Sequence, residues 1–224
     1  NGGDYGVTIV QPLAGGLVDK LNAQDGRYSL YLRGLLKGEK GEETRIVDCV
    51  TRGINPYTNT DEFFECAKNP DLRFIVSNTT EAGIEYKPNQ NPDDFNGLTF
   101  PGRLTLFMKK RFDEGLGGFI LLPCELIDKN GDNLKECILK YSVDWGYGDE
   151  FEKWTENHFT NTLVDRIVTG YPRDNAKEME QSYGYLDDMI DTAEIFHLWV
   201  IEGDKKLAEE IPFHKIGLNV LWTD

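Results

Sequence analysis

No apolar run in this chain approaches the ~20 residues that a membrane-spanning helix needs; the longest, Phe119–Pro123 and Phe196–Ile201, stop far short. Basic charge is scarce: 24 Lys and Arg stand against 39 Asp and Glu, a formal net charge of −15. A phosphate backbone or an anionic lipid surface is repelled by such a chain, which argues against nucleic acid and membrane as partners. There is no CxxC, and no Cys/His pair at zinc-finger spacing. The four cysteines, Cys49, Cys66, Cys124 and Cys137, are widely separated and read as reduced thiols of a cytoplasmic protein, with no metal site. No GxGxxG is present: Gly115, Gly117 and Gly118 precede a strand, and Gly146 and Gly148 lie between helical segments. No signal peptide is visible in these residues, the first of them is not Met, and the start Asn-Gly-Gly suggests a processed or excised beginning.

What is present is enough for a sizeable core. The 224 residues are 39% hydrophobic and 12% aromatic, consistent with one large domain. Gly6–Val10 reads as a strand broken by Gln11-Pro12. Tyr28–Leu36 and Arg45–Thr51, around the polar turn Lys37–Gly41, read as an antiparallel hairpin. Asn59, Thr60 or Asp61 can cap a helix through Lys68. Leu72–Val76 and Phe119–Leu122 are compact apolar strands. Between them Pro101 opens a helix through Phe112, with Leu104, Phe107, Met108 and Phe112 on one stripe. Asn130-Gly131-Asp132 starts a helix through Val143, Asp149–Glu156 forms a shorter one, and Ile195–Ile201 is a late strand. Apolar strands alternating with amphipathic helices predict an α/β fold whose mostly parallel sheet is covered on both faces, with the hairpin added.

In such sheets, ligands bind beyond the carboxyl ends of the strands. Three strand ends qualify: Gln11-Pro12, the segment Asn78–Gly83, and Cys124-Glu125. Singly, each reads as an ordinary loop; together on one edge they would form a site. His197 sits in an apolar run and reads as a half-buried structural side chain, while His158 stays open. Asp165-Arg166 reads as a local ion pair, and the charged run Asp174–Glu180 as a solvated helical face. Nothing singles out two acids for carboxylate-pair hydrolysis.

Five motifs follow one another in order: Ser77–Gly83, Pro101–Thr105, Pro123–Asp132, Asn161–Asp174, and Asp191–Glu194 with Trp199–Glu202. In this order they resemble the mannitol dehydrogenase family of long-chain polyol dehydrogenases, most closely its tagaturonate reductase (altronate oxidoreductase) branch. The similarity runs from about Gly6 to Asp224. The resemblance implies a Rossmann-like, doubly wound nucleotide domain followed by a helical substrate domain. It also implies NAD-dependent interconversion of D-altronate and D-tagaturonate, a sugar-acid substrate in hexuronate breakdown. Fructuronate reductase and mannitol-type polyol dehydrogenases are alternatives within the family, and a non-catalytic nucleotide- or sugar-acid-binding module is the rival from outside it.

Carried over by position, Asn78, Thr79, Thr80 and Glu81 flank the nicotinamide, Cys124 and Glu125 occupy the next strand end, and Asn130 opens the following helix. Gln11 ends the first strand, where no acid awaits the ribose. Asn161 matches an asparagine that donates to the reacting oxygen, a role suited to a neutral amide. Two expected pieces lie outside the sequence. One is a glycine-rich first βα unit before Val7; the other is a Lys-x4-Asn-x2-His segment beyond Asp224, with the helical domain after it. Residues 1–224 are therefore expected to be an NAD-binding fragment, weak in cofactor affinity and inactive alone.

Overall fold

The computed structural model describes residues 6–36, 38–156 and 159–223. Their elements run β1 (Val7–Val10), α1 (Val18–Ala23), β2 (Tyr28–Leu36), β3 (Glu39–Val47), β4 (Val50–Ile54), α2 (Thr60–Ala67), β5 (Phe74–Ser77), α3 (Phe100–Asp113), β6 (Ile120–Pro123), α4 (Asn130–Trp145), α5 (Asp149–Thr155), β7 (Asn161–Asp165), α6 (Ala176–Tyr183), β8 (Asp191–Glu194), β9 (Leu198–Glu202), α7 (Leu207–Glu210) and β10 (Val220–Thr223). They fall into two compact units. The first holds Asn1–Asn55, Asp165–Leu198 and Lys215–Asn219; the second holds Pro56–Val164, Trp199–His214 and Val220–Asp224.

In the first unit β1 pairs in parallel with β4, and α1 is tied to that pair by Asn22. The Asn22 amide donates to the Gly53 carbonyl at 2.9 Å and accepts the Gly53 N–H at 2.7 Å. Gly26 links α1 to β2 at φ 74°, and a Cβ there would lie 2.1 Å from the Val50 carbonyl oxygen, so only glycine fits. β2 and β3 form the expected hairpin, in register from Tyr28–Val47 to Leu36–Glu39, and β8 pairs in parallel on the other side of β2. The hairpin differs from the expectation in two ways. β3 already begins at Glu39, so Glu39–Gly41 of the expected turn are strand residues, and Lys37 lies outside the described residues. The run Arg45–Thr51 is also divided: Arg45–Val47 ends β3, while Val50 and Thr51 begin β4. One β-branched stretch thus serves two strands with different partners.

In the second unit β5 and β6 pair in parallel, and β7, β9 and β10 form a second group in the order β10-β9-β7. Leu121, Leu122 and Pro123 of β6 are buried, as its apolar run demands. α4 buries Leu134, Cys137, Ile138 and Tyr141, a helical i, i+3, i+4, i+7 stripe. Asn59 caps α2 by accepting the Glu62 N–H, and Thr99 caps α3 through Gly102. Rings of Phe63 and Phe107 (4.8 Å) and of Phe107 and Phe119 (5.4 Å) knit the core.

The α3 stripe holds a surprise. Arg111 is buried at the position where continued apolar spacing pointed to Phe112, which is only half-buried. Its guanidinium donates to the carbonyls of Ala67 (3.1 Å), Asn69 (2.6 Å) and Leu72 (3.1 Å), and to Gly117, with Phe119 packed against it at 4.6 Å. A buried charge is tolerated because donors and acceptors match and the C-terminal end of α2 is a favourable place for a cation.

The late strand expected over Ile195–Ile201 begins only at Leu198. β8 and β9 are separate strands, with Ile195–His197 between them. His197 accepts the Asn219 N–H at 3.1 Å through Nε2 and meets the Ile195 carbonyl at 3.1 Å through Nδ1, a satisfied structural histidine as expected. Arg166 corrects its expectation: its Nε donates to the Glu194 carbonyl at 3.1 Å, not to Asp165. The run Asp174–Glu180 is largely the exposed face of α6. His158 lies outside the described residues. Among the described residues no helix is long and apolar enough to cross a membrane, and no three His, Cys, Asp or Glu gather as a metal site.

Candidate functional site

Two of the three predicted strand ends meet on one edge of the second unit. Val76 lies beside Leu122 and Ser77 beside Pro123 in parallel register. The Cys124 N–H continues the ladder to the Ser77 carbonyl at 2.7 Å. Asn78–Glu81 and Cys124-Glu125 therefore leave the sheet together. Asn78, Thr80 and Glu81 are exposed, and their side chains have no hydrogen-bond partner among the described residues. They are polar groups standing ready at a strand tip.

Glu125 faces the other way. It is 2% exposed, and its carboxylate accepts from Ser77 Oγ at 3.0 Å, the Thr79 N–H at 3.0 Å and Thr79 Oγ1 at 2.9 Å. It laces the tip of β5 to that of β6. Cys124 is buried beside it, and burial pushes the thiol up to about 11. The Thr162 hydroxyl, 3.8 Å from Sγ, opposes that rise, and the charge of Glu125 adds to it. A thiol so shifted is neutral and a poor nucleophile near neutral pH.

Asn130 is 1% exposed, and its carboxamide is fully engaged with backbone. Nδ2 donates to the carbonyls of Pro123 (2.9 Å), Glu125 (3.0 Å) and Thr162 (2.9 Å), while Oδ1 accepts the N–H of Gly131 and of Thr162, both at 2.9 Å. One side chain thus joins the end of β6, the start of α4 and β7. Gly131 follows because nothing larger fits: a Cβ there would lie 2.1 Å from the Thr160 carbonyl oxygen. Thr160 in turn donates to the Leu121 carbonyl at 2.9 Å, and Thr162 to that of Pro123, so the start of β7 lies along β6.

This lacing delivers Asn161 to an open depression lined by Phe159, Asn161, Glu202, Gly203, Asp204 and Lys205. Its Oδ1 accepts the Asp132 N–H at 3.0 Å. Its Nδ2 donates to Asp132 Oδ2 at 3.2 Å and to Glu202 Oε2 at 3.1 Å. Asp132 and Glu202 were not singled out from sequence. The strand-end rule applied to the late strand would have found Glu202, which closes β9. Asp132 needed the three-dimensional neighbour.

Gln11, the third predicted strand end, belongs to the first unit. Its amide is 5% exposed and bonds the Leu13 and Ala14 carbonyls at 2.7 and 3.1 Å and the Val18 N–H at 3.3 Å. It shapes the loop between β1 and α1.

Comparison with known proteins agrees with this architecture. A sequence model described as the mannitol dehydrogenase Rossmann domain matches residues 1–215. Altronate oxidoreductases of Shigella flexneri and of Cronobacter sakazakii (strain ATCC BAA-894) are 45% and 46% identical over 98% of this chain. The chain spans 47% of each relative, about half its length. Among solved structures, substrate-free D-sorbitol dehydrogenase superposes with a TM-score of 0.78 at 23% identity, covering 98% of this chain and 48% of that one. Pseudomonas fluorescens mannitol 2-dehydrogenase, solved with NAD and D-mannitol, gives 0.74 at 20% identity, covering 92% and 44%. These likenesses carry the fold: an α/β domain of Rossmann type with mostly parallel strand pairs and an added hairpin. With nearly its whole length matched by that sequence model, the chain belongs to the mannitol dehydrogenase family.

Proposed function

We propose that these residues are the NAD-binding portion of an oxidoreductase that interconverts D-altronate and D-tagaturonate, with a helical substrate domain supplied elsewhere in the gene product. The observation that carries this reading is the 45–46% identity to altronate oxidoreductases across 98% of the chain. A cytoplasmic site of action goes with it, and the four free thiols support that.

The donor set suits a nicotinamide. Its carboxamide needs neutral donors and acceptors, and Asn78, Thr80 and backbone groups at adjoining parallel strand tips offer them. Thr79 and Glu81 share that tip; Gln11 holds the first unit's strand end in shape. NAD, when bound, accepts or returns the hydride. Glu125, Cys124 and Asn130 act from behind, fixing the two strand tips and the start of α4 relative to one another.

Asn161 is the catalytic group in this reading. A neutral amide cannot remove the alcohol proton, and the resemblance assigns that task to a lysine beyond residue 224. What Asn161 does is donate an N–H to the substrate oxygen as charge grows on it. In the present structure Glu202 accepts the hydrogen that faces the depression. An arriving substrate oxygen takes that place, and the carboxylate must withdraw, because its charge opposes an oxyanion.

The test is NADH formation by the full-length gene product with D-altronate, and NADH oxidation with D-tagaturonate, fructuronate and fructose. Altronate and tagaturonate should be turned over best. Asn161→Ala should lower kcat about 10²- to 10³-fold, the usual loss for one oxyanion donor. Preference for fructuronate or fructose refutes the substrate; unchanged kcat in Asn161→Ala refutes the role of the amide.

A further inference from the structure

The donor assigned to Asn161 works only if its amide is held one way round, and one residue touches both ends of it. We infer that Asp132 is the positioning residue for Asn161, an inference that rests on the functional reading above. Asp132 is the third residue of α4, and its main-chain N–H is one of those a helix start leaves without an internal partner. No side chain at the N-cap serves that turn: Lys129 stands there in the left-handed conformation, φ 51° and ψ 50°, without a capping bond. Asn130 Oδ1 takes the Gly131 N–H at 2.9 Å, and Asn161 Oδ1, from a different element, takes that of Asp132 at 3.0 Å. Asn161 is thus an external cap of α4.

The same residue then closes the clamp. Asp132 Oδ2 accepts one Nδ2 hydrogen of Asn161 at 3.2 Å, while its Oδ1 is 3.8 Å from Lys135 Nζ. A rotated amide would set NH2 against the backbone N–H and carbonyl oxygen against the carboxylate, so both contacts reject the flip. The second Nδ2 hydrogen is left for the depression, where Glu202 now meets it. Polarisation adds to orientation. The positive end of a 16-residue helix, acting through the Asp132 N–H on Oδ1, draws electron density toward the oxygen. The outward N–H becomes a stronger donor at the moment an oxyanion forms.

Asp132 itself does not line the depression, so it acts through Asn161. Its loss should appear in kcat and leave substrate binding alone. In the full-length gene product, Asp132→Ala should lower kcat with altronate about tenfold, leave KM and the NAD dissociation constant within about twofold, and keep the melting temperature. Asp132→Asn retains an acceptor and should restore kcat to within about twofold. Asp132→Ala combined with Asn161→Ala should be no slower than Asn161→Ala alone, because the two act as one unit. Wild-type kcat in Asp132→Ala, equal damage in both Asp132 variants, or additive losses in the double variant overturns the inference while the functional reading stands. No altronate turnover in the unmodified protein, or full turnover in Asn161→Ala, overturns the functional reading and the inference with it.

Discussion

Each unit buries one carboxylate that has no Lys or Arg partner among the described residues, and the two are satisfied by different means. Asp187, 3% exposed in the first unit, accepts the Ser29 N–H at 2.6 Å on Oδ2. On Oδ1 it accepts the Met189 N–H and Gln24 Nε2, both at 2.9 Å. Glu125 in the second unit has one backbone donor, from Thr79, and two hydroxyls, from Ser77 and Thr79. A hydroxyl can reverse its role by rotating; a peptide N–H cannot. Gln24 cannot adapt either, since its amide also donates to the Arg27 carbonyl at 2.9 Å and accepts the Asp188 N–H at 2.7 Å. Two acids of similar burial therefore differ in how far each depends on being an acceptor at both oxygens.

Replacing Asp187 with Asn should expose that dependence most. Whichever way the new amide turns, an NH2 faces fixed N–H donors. With one charge-assisted bond lost and one donor left facing another, the expected cost is about 3 kcal/mol, read by urea unfolding at neutral pH. A cost below about 1 kcal/mol would mean that the surrounding backbone yields, and that donor type does not separate the two acids.

A second effect, somewhat smaller, belongs to the Glu125 neighbourhood. The Cys124 thiol is raised from 9.0 to about 11, chiefly by burial. Its folded value exceeds its unfolded one, so the folded state holds the proton longer. The associated stability is intact below pH 9 and is lost as pH climbs toward 11, by about 2–3 kcal/mol. The unfolding free energy of the unmodified protein should therefore fall more between pH 8.5 and 11 than that of Cys124→Ala. Parallel curves would show the thiol to be ordinary. Exposed Cys49 should meanwhile react with iodoacetamide at pH 8 well before Cys124 does.

The contrast between the acids also marks what the chain reveals before folding. The strand tips at Val76 and Leu122, the helix starts at Asn59 and Asn130, and the motif around Asn161 are local, spelled by neighbouring residues. They were legible for that reason. The division of Arg45–Thr51 between β3 and β4 was not, because propensity gives a strand no partner. α1, β7 and β10, of four to six residues each, are too short for periodicity to announce. Arg111 broke the apolar stripe of α3 because its acceptors are carbonyls at the end of α2, some 40 residues earlier in the chain. At the candidate site, residue types pointed to strand tips but not to the direction each side chain takes. Glu125, Asn130 and Gln11 turn inward onto the backbone, and only the fold shows which of the polar residues at a strand tip face out.

Glu125→Gln gives the smallest stability change and the sharpest test of that contrast. The new Oε1 can keep both Thr79 donors, and the new NH2 can donate to Ser77 Oγ, whose hydroxyl turns away to accept. Every contact survives with one reversed, so the cost should stay below about 1 kcal/mol, a fraction of that for Asp187→Asn. The substitution also removes a negative charge that helps hold the Cys124 proton. The thiol should then titrate at lower pH, and its alkylation at a fixed alkaline pH should quicken. If Glu125→Gln proves as costly as Asp187→Asn, the hydroxyls of Ser77 and Thr79 are as fixed as peptide groups. If the Cys124 rate stays put, burial alone sets that thiol, and the acid beside it serves only to lace β5 to β6.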